Sequence, residues 1–429
     1  MRITADFHIH SRFSRACSRE LTLPSIAATC AVRGIDLCVT GDFTHPQWRQ
    51  EIGEQLEEAE DGIFKLQADS RKPQAQTKFL LGTELSCIYK HAGKTRRVHH
   101  LVIAPSLAAV DHLIASLTRQ GRNLGADGRP ILGMSSKELL ALCLAADERT
   151  MVIPAHAWTP WFAVFGSESG YDALEECFED LTPHVLAIET GLSSDPPMNW
   201  RVSALDAVAL VSSSDAHSLT KLGREATVLE LAALTFDNVR SAIMNSAPAR
   251  FNVAHANRIV QTIEFFPEEG KYHSDGHRTC NVRCEPQETK HLRGVCPQCK
   301  KQMTVGVMHR VDKLADRERN FVHAHAPAYV HSVPLIETIM EAFAVKSMTQ
   351  RVRACYDEIT ERIGSEFHIM LDAHLDDIAR VAPREVTEAI RRVRAGELDI
   401  LPGYDGEFGT VRIFSHEHPR PVAVQKALI

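Results

Sequence analysis

The sequence contains 22 histidines among 429 residues, and several of them stand close to acidic residues. His8 and His10 are two residues apart in DFHIH, and Asp215 and His217 have the same spacing in SSDAH. Imidazole nitrogens and carboxylate oxygens are donors that Zn²⁺, Mn²⁺ and Fe²⁺ accept readily. The two pairs therefore predict a metal centre.

Further residues of the same chemical type lie in or just after apolar segments of the first half of the chain. They are Asp42, Glu84, His99, His100 and His156. A single histidine at the end of a strand is more often a half-buried polar residue than a ligand, so the prediction depends on the recurrence. His99 and His100 are adjacent and point to opposite faces of a strand, so only one of them is expected to bind metal.

Strand-like and helical segments alternate over roughly the first 250 residues. Residues 2–10 and 78–89 have strand patterns, and residues 24–33 and 47–60 have helical ones. This order predicts a closed α/β barrel. The C-terminal ends of barrel strands converge on one face, where active sites form. We therefore expect the donors to meet at one mouth of the barrel.

A second group of candidate ligands consists of Cys280, Cys284, Cys296 and Cys299, with the spacing C-x3-C-x11-C-x2-C. Two close pairs of thiolates predict a tetrahedral structural zinc site. The alternatives are four free buried thiols and a redox pair formed by Cys296 and Cys299, and His277 is interpreted as a bystander or a nucleic-acid contact. The other seven of the 11 cysteines are scattered singly, which is typical of free thiols.

Composition limits the possible functions. The 48 basic and 55 acidic residues give a net charge of −7, which excludes a protein whose whole surface is basic. Residues 271–325 nevertheless hold 11 Lys or Arg against six Asp or Glu, so a local basic track is possible. No apolar run is long enough to cross a membrane and no secretory leader pattern is present, so we expect a cytoplasmic protein.

Six motifs in order resemble the PHP (polymerase and histidinol phosphatase) metallo-phosphoesterases. They are DFHIHS at 6–11, GD at 41–42, GTEL at 82–85, VHHL at 98–101, PAH at 154–156 and SDAH at 214–217. The resemblance implies a distorted seven-stranded barrel with a trinuclear metal site. In PHP proteins the matching positions divide among three ions: His8, His10, Glu84 and Asp215; His99 and His156; Asp42 and His217.

The PHP resemblance also favours His99 over His100 as the ligand. Many PHP domains have histidine at the position of Asp42, so the third ion is expected to be bound more weakly or with different ligands. The ions imply hydrolysis of a phosphoester by metal-activated water, without a serine or cysteine nucleophile. Asp215 and His217 are also expected to move protons.

Segments beyond the PHP motifs resemble the endonuclease Q family of DNA-repair nucleases. They are WTPWF at 158–162, PPMNWR at 196–201, KLGREAT at 221–227, YHSDGHRTC at 272–280, GVMHRVDKLADR at 306–317 and PGYDGEFG at 402–409. The resemblance implies a PHP-type barrel over 1–250, a four-cysteine zinc domain over 251–325 and a mainly helical C-terminal domain over 326–429. It also implies two or three divalent cations (Zn, Mn, Fe or Mg) in the barrel and one structural Zn.

By this resemblance the chain is a metal-dependent endonuclease. It is expected to cut DNA on the 5′ side of deaminated bases (uracil, hypoxanthine, xanthine) and of abasic sites. A damaged base costs less to unstack, so a pocket for a flipped base supplies selectivity. The candidate substrate contacts are Arg278, Arg310, Tyr404 and Trp158, with Trp161 and Trp200 as further candidates. Burial in the core explains any one of the tryptophans about as well.

Two other functions are compatible with parts of the sequence. The first is a PHP phosphatase of small phosphate monoesters, which needs neither the four-cysteine module nor the residues after it. The second is a DNA-binding scaffold whose barrel has lost its metals, and the nearly complete set of donors counts against it. The expected partner is DNA, and no membrane is expected.

Overall fold

The computed structural model describes residues 1–67 and 77–414. Its strands are β1 (Arg2–Asp6), β2 (Leu37–Val39), β3 (Leu56–Glu60), β4 (Ile63–Leu66), β5 (Lys78–His91), β6 (Lys94–Ala104), β7 (Ile131–Leu132), β8 (Met151–Pro154), β9 (Ala187–Glu189), β10 (Ala209–Val211), β11 (Ala226–Glu230), β12 (Arg258–Glu264), β13 (Asp275–His277), β14 (Val282–Cys284), β15 (Ala328–His331), β16 (Asp399–Leu401) and β17 (Thr410–Arg412).

The helices are α1 (Leu23–Arg33), α2 (Pro46–Gln55), α3 (Leu107–Arg119), α4 (Ser136–Ala146), α5 (Leu174–Phe178), α6 (Pro196–Trp200), α7 (Phe236–Met244), α8 (Pro286–His291), α9 (Val307–Leu314), α10 (Leu335–Ala342), α11 (Gln350–Ile363), α12 (Leu375–Ala379) and α13 (Arg384–Ala395). Short 3₁₀ helices span Glu179–His184, Gly191–Ser193, Ser203–Ala207, Leu219–Lys221, Pro267–Glu269 and Arg278–Cys280, and a π-helical turn spans His368–Asp372. None of the helices in this part of the chain is long and apolar enough to cross a membrane.

Seven strands surround the largest hydrophobic core. β1, β2 and β5 are parallel neighbours, β6 is antiparallel to both β5 and β8, and β9 pairs with β10 in parallel. Two backbone hydrogen bonds close the circle: Ala157 donates to Glu189 (3.0 Å), and His10 donates to Ala216 (3.1 Å). The predicted α/β barrel is confirmed, and the antiparallel β6 accounts for its distortion.

The local sequence explains the main elements of the barrel. The Thr22 hydroxyl caps α1, Pro24 lies in its first turn, and Gly34 ends it with a φ of 89°. β5 is buried along most of its length, as expected of a strand covered on both faces. Residues 56–60 were expected to continue a helix but form β3, because they pair with the antiparallel β4. Pairing with a neighbouring strand outweighs the local helical pattern there.

The sheet continues beyond the barrel on the far side of β1. β11 pairs with β1, β12 pairs with β11, and β15 pairs with β12. β15 lies beyond residue 326, where the C-terminal domain is predicted to begin, yet it belongs to the sheet that includes β1. The three domain ranges remain predictions.

A second hydrophobic core lies among α10, α11, α12 and α13. α13 buries Val386, Ala389, Ile390 and Val393, the spacing of one helix face. The predicted helical character of the C-terminal region is thus confirmed, whereas residues 415–429 of that predicted domain lie outside the described residues. A buried ion pair between Arg33 and Glu366 joins α1 to this region.

Candidate metal centre

Four donor atoms converge where three barrel strands end or cross the mouth. His8, His10, Glu84 and Asp215 each offer one atom, and these atoms lie within 4.8 Å of one another. His10 Nε2 is 3.2 Å from both Glu84 Oε2 and Asp215 Oδ1. We call this group, together with the donors described next, the barrel cluster.

The barrel cluster contains buried polar atoms without hydrogen-bond partners. They are the Nε2 atoms of His8 and His10 and the Oδ1 atom of Asp215. Buried polar atoms are almost always paired, so three that face one another require an explanation. Imidazole nitrogens and carboxylate oxygens with lone pairs directed at a common point fit a divalent cation.

A second set of donors adjoins the first and shares Glu84 with it. Glu84 Oε1 lies 2.7 Å from His99 Nδ1 and 3.2 Å from His156 Nε2. The other oxygen of Glu84 faces His8 and His10. With one oxygen in each set, Glu84 would contribute to both sets if each of them held a cation.

His99 and His100 point in opposite directions. His99 belongs to the barrel cluster, whereas His100 Nε2 lies 2.8 Å from the Ser136 hydroxyl and its ring packs against Phe178. Burial lowers the pKa of His99 to about 4 and that of His100 to about 3. The inclusion of His100 among the candidate ligands is therefore corrected, because the alternation of β6 turns it away from the mouth.

Asp42 and His217 lie beside the barrel cluster rather than within it. Asp42 Oδ1 is 3.1 Å from His10 Nδ1, and its Oδ2 accepts hydrogen bonds from the Ser11 amide (2.7 Å) and the Ser14 hydroxyl (2.9 Å). The ring centroid of His217 is 4.5 Å from that of His10. Asp42 thus orients His10, and the predicted role of Asp42 and His217 at a third ion remains a prediction.

Glu189 orients His8 in the same way. Both of its carboxylate oxygens are 3.1 Å from His8 Nδ1, and the amide of His156 donates to Oε2 at 2.7 Å. A carboxylate behind a histidine fixes the tautomer and the direction of the other ring nitrogen. Glu189 therefore aims His8 Nε2 at the cluster.

The backbone at the mouth is unusual. Asp42, His156 and Asp215 have φ values of 45°, 31° and 46°, in the left-handed region that side chains other than glycine seldom adopt. A Cβ atom at Gly191 would lie 2.6 Å from His156 Cβ. Residues held in such conformations concentrate at functional sites, where the surrounding structure maintains them.

Charges within the barrel cluster oppose the effect of burial. Burial disfavours the charged form of His8, but Glu189, Asp215 and Glu84 outweigh it and raise the pKa of His8 well above its usual value. Burial would raise the pKa of Glu84, but His99, Arg129 and His8 lower it well below its usual value. Metal binding requires ionised carboxylates and neutral imidazoles, so a cation entering the cluster would displace the proton that these charges favour on His8.

Arg129 also lies at the mouth of the barrel, and the sequence did not single it out. Its Nη1 lies 2.9 Å from Glu84 Oε2, and 29% of its side chain is exposed. The loop approaches closely because residue 128 is glycine: a Cβ atom there would lie 2.4 Å from Asp42 Oδ2. An arginine in a loop carries no sequence signal, because solvated surface arginines look the same.

The cysteine-rich segment forms a separate group of four donors, which we call the cysteine cluster. It consists of His277, Cys280, Cys296 and Cys299. Cys299 Sγ lies 3.7 Å from His277 Nδ1. Cys284 was expected as the fourth ligand but is outside the group, buried in a small core beside Cys296 and Met303. Three thiolates and one imidazole form a common tetrahedral zinc site.

Comparisons with known proteins cover different parts of the chain. Residues 334–397 match the family model described as the MJ0043 C-terminal domain. The chain is 27% identical over 263 residues to the uncharacterised protein MJ0043 of Methanocaldococcus jannaschii, covering 60% of this chain but only 31% of that protein. It is 27% identical over 423 residues to the uncharacterised protein YqxK of Bacillus subtilis, covering 96% of this chain and 99% of YqxK.

Two solved structures match almost from end to end. The lesion-specific endonuclease PfuEndoQ from Pyrococcus furiosus has a TM-score of 0.83 and 29% identity, covering 97% of this chain and 96% of that one. Endonuclease Q in complex with a 27-mer duplex substrate carrying an abasic lesion at the active site has a TM-score of 0.83 and 30% identity, covering 99% of both chains. The chain belongs to the endonuclease Q family. The predicted resemblance is confirmed, and the family identifies the chain as a metal-dependent DNA nuclease.

Two of the predicted substrate contacts are buried in this endonuclease Q. The guanidinium of Arg310 donates to the carbonyls of Phe165 (2.8 Å) and Tyr171 (2.7 Å), and so holds α9 against the barrel. Trp158 is 1% exposed, and its indole N–H donates to Asn199 Oδ1 at 2.7 Å. Both predictions are corrected, because neither side chain is available to DNA.

The other two predicted contacts differ from each other. The Tyr404 hydroxyl donates to Asn281 Oδ1 at 2.8 Å, and its ring covers Gly276 so closely that a Cβ atom there would lie 2.3 Å from it. Tyr404 thus joins the β16–β17 hairpin to the cysteine-rich segment. Arg278 is exposed and remains available as a DNA contact.

A cleft of about 190 Å³ adjoins the barrel cluster of this endonuclease Q. Its wall includes Thr159, Trp161, Lys271 and Tyr272. The Thr159 hydroxyl lies 3.2 Å from Nδ1 of His156, which connects the cleft to the mouth. Trp161 is 40% exposed, unlike Trp158.

Proposed function

We propose that this endonuclease Q hydrolyses DNA on the 5′ side of deaminated bases (uracil, hypoxanthine and xanthine) and of abasic sites. The single observation that carries the proposal is the barrel cluster, where the buried Nε2 atoms of His8 and His10 and the Oδ1 atom of Asp215 face one another without hydrogen-bond partners. The lesion specificity of the Pyrococcus furiosus relative and the abasic duplex in the second solved structure support the choice of substrate.

The donors divide into sites for two cations. His8, His10, Glu84 and Asp215 would hold one, and Glu84, His99 and His156 the other, with Asp42 and His217 beside a third. Zn, Mn, Fe or Mg are compatible with this mixture of imidazoles and carboxylates, and the cysteine cluster would hold a structural Zn. When bound, the barrel cations activate water and neutralise charge on the scissile phosphate.

His217 is the best placed residue to carry a proton. Its Nδ1 lies 2.9 Å from the carbonyl of Asp215, which fixes the tautomer and leaves Nε2 as a proton acceptor. Burial lowers the pKa of His217, so the ring is neutral near pH 7. The positive charge of His8 and His10 overcomes burial and lowers the pKa of Asp215, so Asp215 serves as a ligand rather than a base.

Arg129 has the position of a phosphate contact. Its guanidinium lies at the mouth beside Glu84, with part of the side chain open to solvent. An arginine pairs with phosphate through several parallel hydrogen bonds, which lysine does not reproduce. We expect Arg129→Lys to lose at least about tenfold in cleavage rate, measured in single-turnover assays, because one bidentate contact is worth about 1.5–3 kcal/mol. A rate equal to that of the wild type would contradict this role.

The cleft supplies the selection of the damaged nucleotide. Trp161 and Tyr272 offer aromatic edges, while Thr159, Ser193 and His273 offer hydrogen-bonding groups. A mismatched or damaged base costs less to unstack than a paired one, so it enters such a cleft more readily. The cleft adjoins His156, so a nucleotide held there would present its backbone to the barrel cluster.

The test uses end-labelled duplexes that differ only at one position, which is undamaged, uracil, hypoxanthine, xanthine or abasic. The full chain is incubated with each duplex and Mn²⁺ or Mg²⁺, and His8→Ala is the control for contaminating nucleases. We expect a single cut on the 5′ side of the lesion and none in undamaged DNA. Equal cutting of undamaged DNA would contradict lesion specificity. Release of phosphate from monoesters with intact DNA would indicate a phosphatase, and binding without cleavage a scaffold.

A further inference from the structure

The side chain of Phe408 is exposed to an unusual degree. It shows 71% of its surface to solvent, and no other Phe, Tyr or Trp in residues 1–67 and 77–414 reaches that value. An exposed aromatic side chain of this size loses the free energy that burial would provide. Single exposed apolar side chains are common on protein surfaces, so the surroundings of Phe408 decide whether it meets a partner.

Phe408 is exposed on a fixed support rather than a loose loop. It lies in the turn 402–409 between β16 and β17. The amide of Gly403 donates to Glu268 (2.8 Å), and the amide of Gly406 donates to Lys271 (3.0 Å). A Cβ atom at Gly409 would lie 2.1 Å from the Glu268 carbonyl, so the turn is pressed against this segment.

A second contact holds the turn from the other side. Asp405 Oδ2 accepts a hydrogen bond from the Arg278 amide at 2.7 Å, and Oδ1 accepts one from the Thr304 hydroxyl at 2.5 Å. The turn is thus attached to the segment that carries the cysteine cluster. Phe408 therefore projects from a rigid element whose direction is set.

The charges near Phe408 indicate the chemistry of the partner. The ammonium of Lys271 lies 4.4 Å from the centre of the Phe408 ring, and the Arg278 guanidinium flanks Gly406. An apolar ring beside one cation, with a second cation at Gly406 of the same turn, fits a partner that is both aromatic and anionic. Nucleic acid has this combination, because its bases stack and its phosphates attract cations.

The same lysine connects Phe408 to the cleft. Lys271 lines the cleft together with Trp161 and Tyr272, and Thr159 of that cleft contacts His156. Phe408 thus stands at the rim of the place where a nucleotide would leave the base stack. Proteins that distort DNA insert apolar side chains between base steps at such positions.

We propose that Phe408 is a wedge that stacks on the base beside the flipped nucleotide and fills the gap that it leaves, while Lys271 pairs with a neighbouring phosphate. This inference rests on the proposed function, since only a flipped nucleotide leaves a gap. The proposal assigns the β16–β17 hairpin to the DNA interface. The damaged duplex would then be held at two places, by the cleft around the flipped nucleotide and by Phe408 within the base stack.

The test measures the uncleaved complex, so that it does not depend on catalysis. The full chain, prepared with zinc in the cysteine cluster, is titrated without added Mn²⁺ or Mg²⁺ and without chelator against an abasic duplex with 2-aminopurine next to the lesion. The variants are Phe408→Ala, Phe408→Trp and the control Val253→Ala, whose side chain is 72% exposed in the wild type. Thermal unfolding midpoints verify that each variant folds.

In the wild type and in Phe408→Trp we expect quenching of 2-aminopurine, because an aromatic ring stacks on it. In Phe408→Ala we expect the quenching to disappear and the affinity for the duplex to fall about tenfold or more, since stacking on one base is worth that much. The affinity for a single strand with the same lesion should fall less, because a single strand has no opposing base pair to hold apart. Val253→Ala should match the wild type.

Unchanged quenching and duplex affinity in Phe408→Ala would overturn the wedge, and lesion cleavage by the same variant would leave the proposed function intact. If the wild type binds the abasic duplex without ever cutting it, the proposed function fails, while the fluorescence comparison still decides the role of Phe408. If the wild type neither binds nor cuts lesion duplexes, both are wrong.

Discussion

The barrel cluster and the cysteine cluster both gather metal-binding side chains, but they are assembled in opposite ways. The donors of the barrel cluster lie between residues 8 and 215, and those of the cysteine cluster between residues 277 and 299. The first exists only when the whole barrel has closed. The second is drawn from one short segment, so a bound ion would supply folding energy to that segment.

The two clusters also differ in how much the surrounding protein supports their donors. Glu189 and Asp42 orient His8 and His10 from behind, so the barrel geometry is maintained by protein contacts. The cysteine cluster offers four donors and is partly exposed at Cys299 and His277. Four protein ligands complete a tetrahedral zinc site and leave no position for substrate. This difference supports the proposal that the barrel cluster serves the reaction and the cysteine cluster serves the structure.

The largest expected effect comes from Asp215→Asn, which removes charge from the barrel cluster without changing its size. We expect cleavage of lesion duplexes to be abolished, because the neutral amide no longer balances the cations, while DNA binding in gel-shift assays remains measurable. Zinc in the cysteine cluster should be unaffected. Asp376→Asn, at an exposed position, is the matched control. Retained cleavage in Asp215→Asn would contradict the proposed centre.

Cys296→Ser tests the other side of the comparison. We expect this variant to lose one zinc per chain by elemental analysis and to become sensitive to protease within residues 271–325, because the segment depends on its ion. His277→Ala should lose the same zinc, whereas Cys284→Ala should retain it and lose only packing. If Cys284→Ala lost its zinc and His277→Ala retained it, the four cysteines would be the zinc ligands, as the spacing predicted.

The sequence was sufficient to predict which residue types meet at the barrel mouth, because each motif at a strand end is a short pattern that can be recognised locally. The sequence did not predict the direction in which each side chain points, because tertiary contacts determine that direction. The spacing favoured Cys284 over His277 as the fourth ligand, but the fold groups His277 with the other three cysteines and packs Cys284 beside Met303. Arginine and tryptophan are residue types that often contact DNA, but Arg310 and Trp158 are both buried against the barrel. Arg129 enters the mouth through a loop whose approach depends on Gly128, and no local pattern encodes that.

His99→Ala and His100→Ala provide a smaller and sharper test within the barrel. We expect His99→Ala to lower the affinity for Mn²⁺ by about 10–100-fold, measured by calorimetry, because changes around a metal centre have at least that effect. His100→Ala should retain Mn²⁺ binding and lose about 1–3 kcal/mol of stability, because it leaves the buried Ser136 hydroxyl without that partner. The opposite pattern would mean that β6 presents its other face to the mouth.

The smallest expected effect is the dependence of Mn²⁺ binding on pH. Glu189, Asp215 and Glu84 outweigh the effect of burial and raise the pKa of His8 well above 6.5, and Asp42 does the same for His10. Below the raised pKa an incoming cation must displace a proton, so affinity should increase as the pH rises from about 6.5 and level off above that pKa. The slope should not exceed about tenfold per pH unit for each proton displaced.

Asp42→Asn separates this mechanism from a general effect of pH on the protein. The substitution removes the carboxylate that raises the pKa of His10, so fewer protons compete with the cation and the slope should become shallower. Calorimetry in buffers of different ionisation enthalpy counts the protons released by wild type and variant, with the cysteine cluster already loaded with zinc. Equal proton release from both proteins would show that His10 is neutral before the cation arrives. The donors of the barrel would then have both the geometry and the protonation state that metal binding needs before any cation is bound.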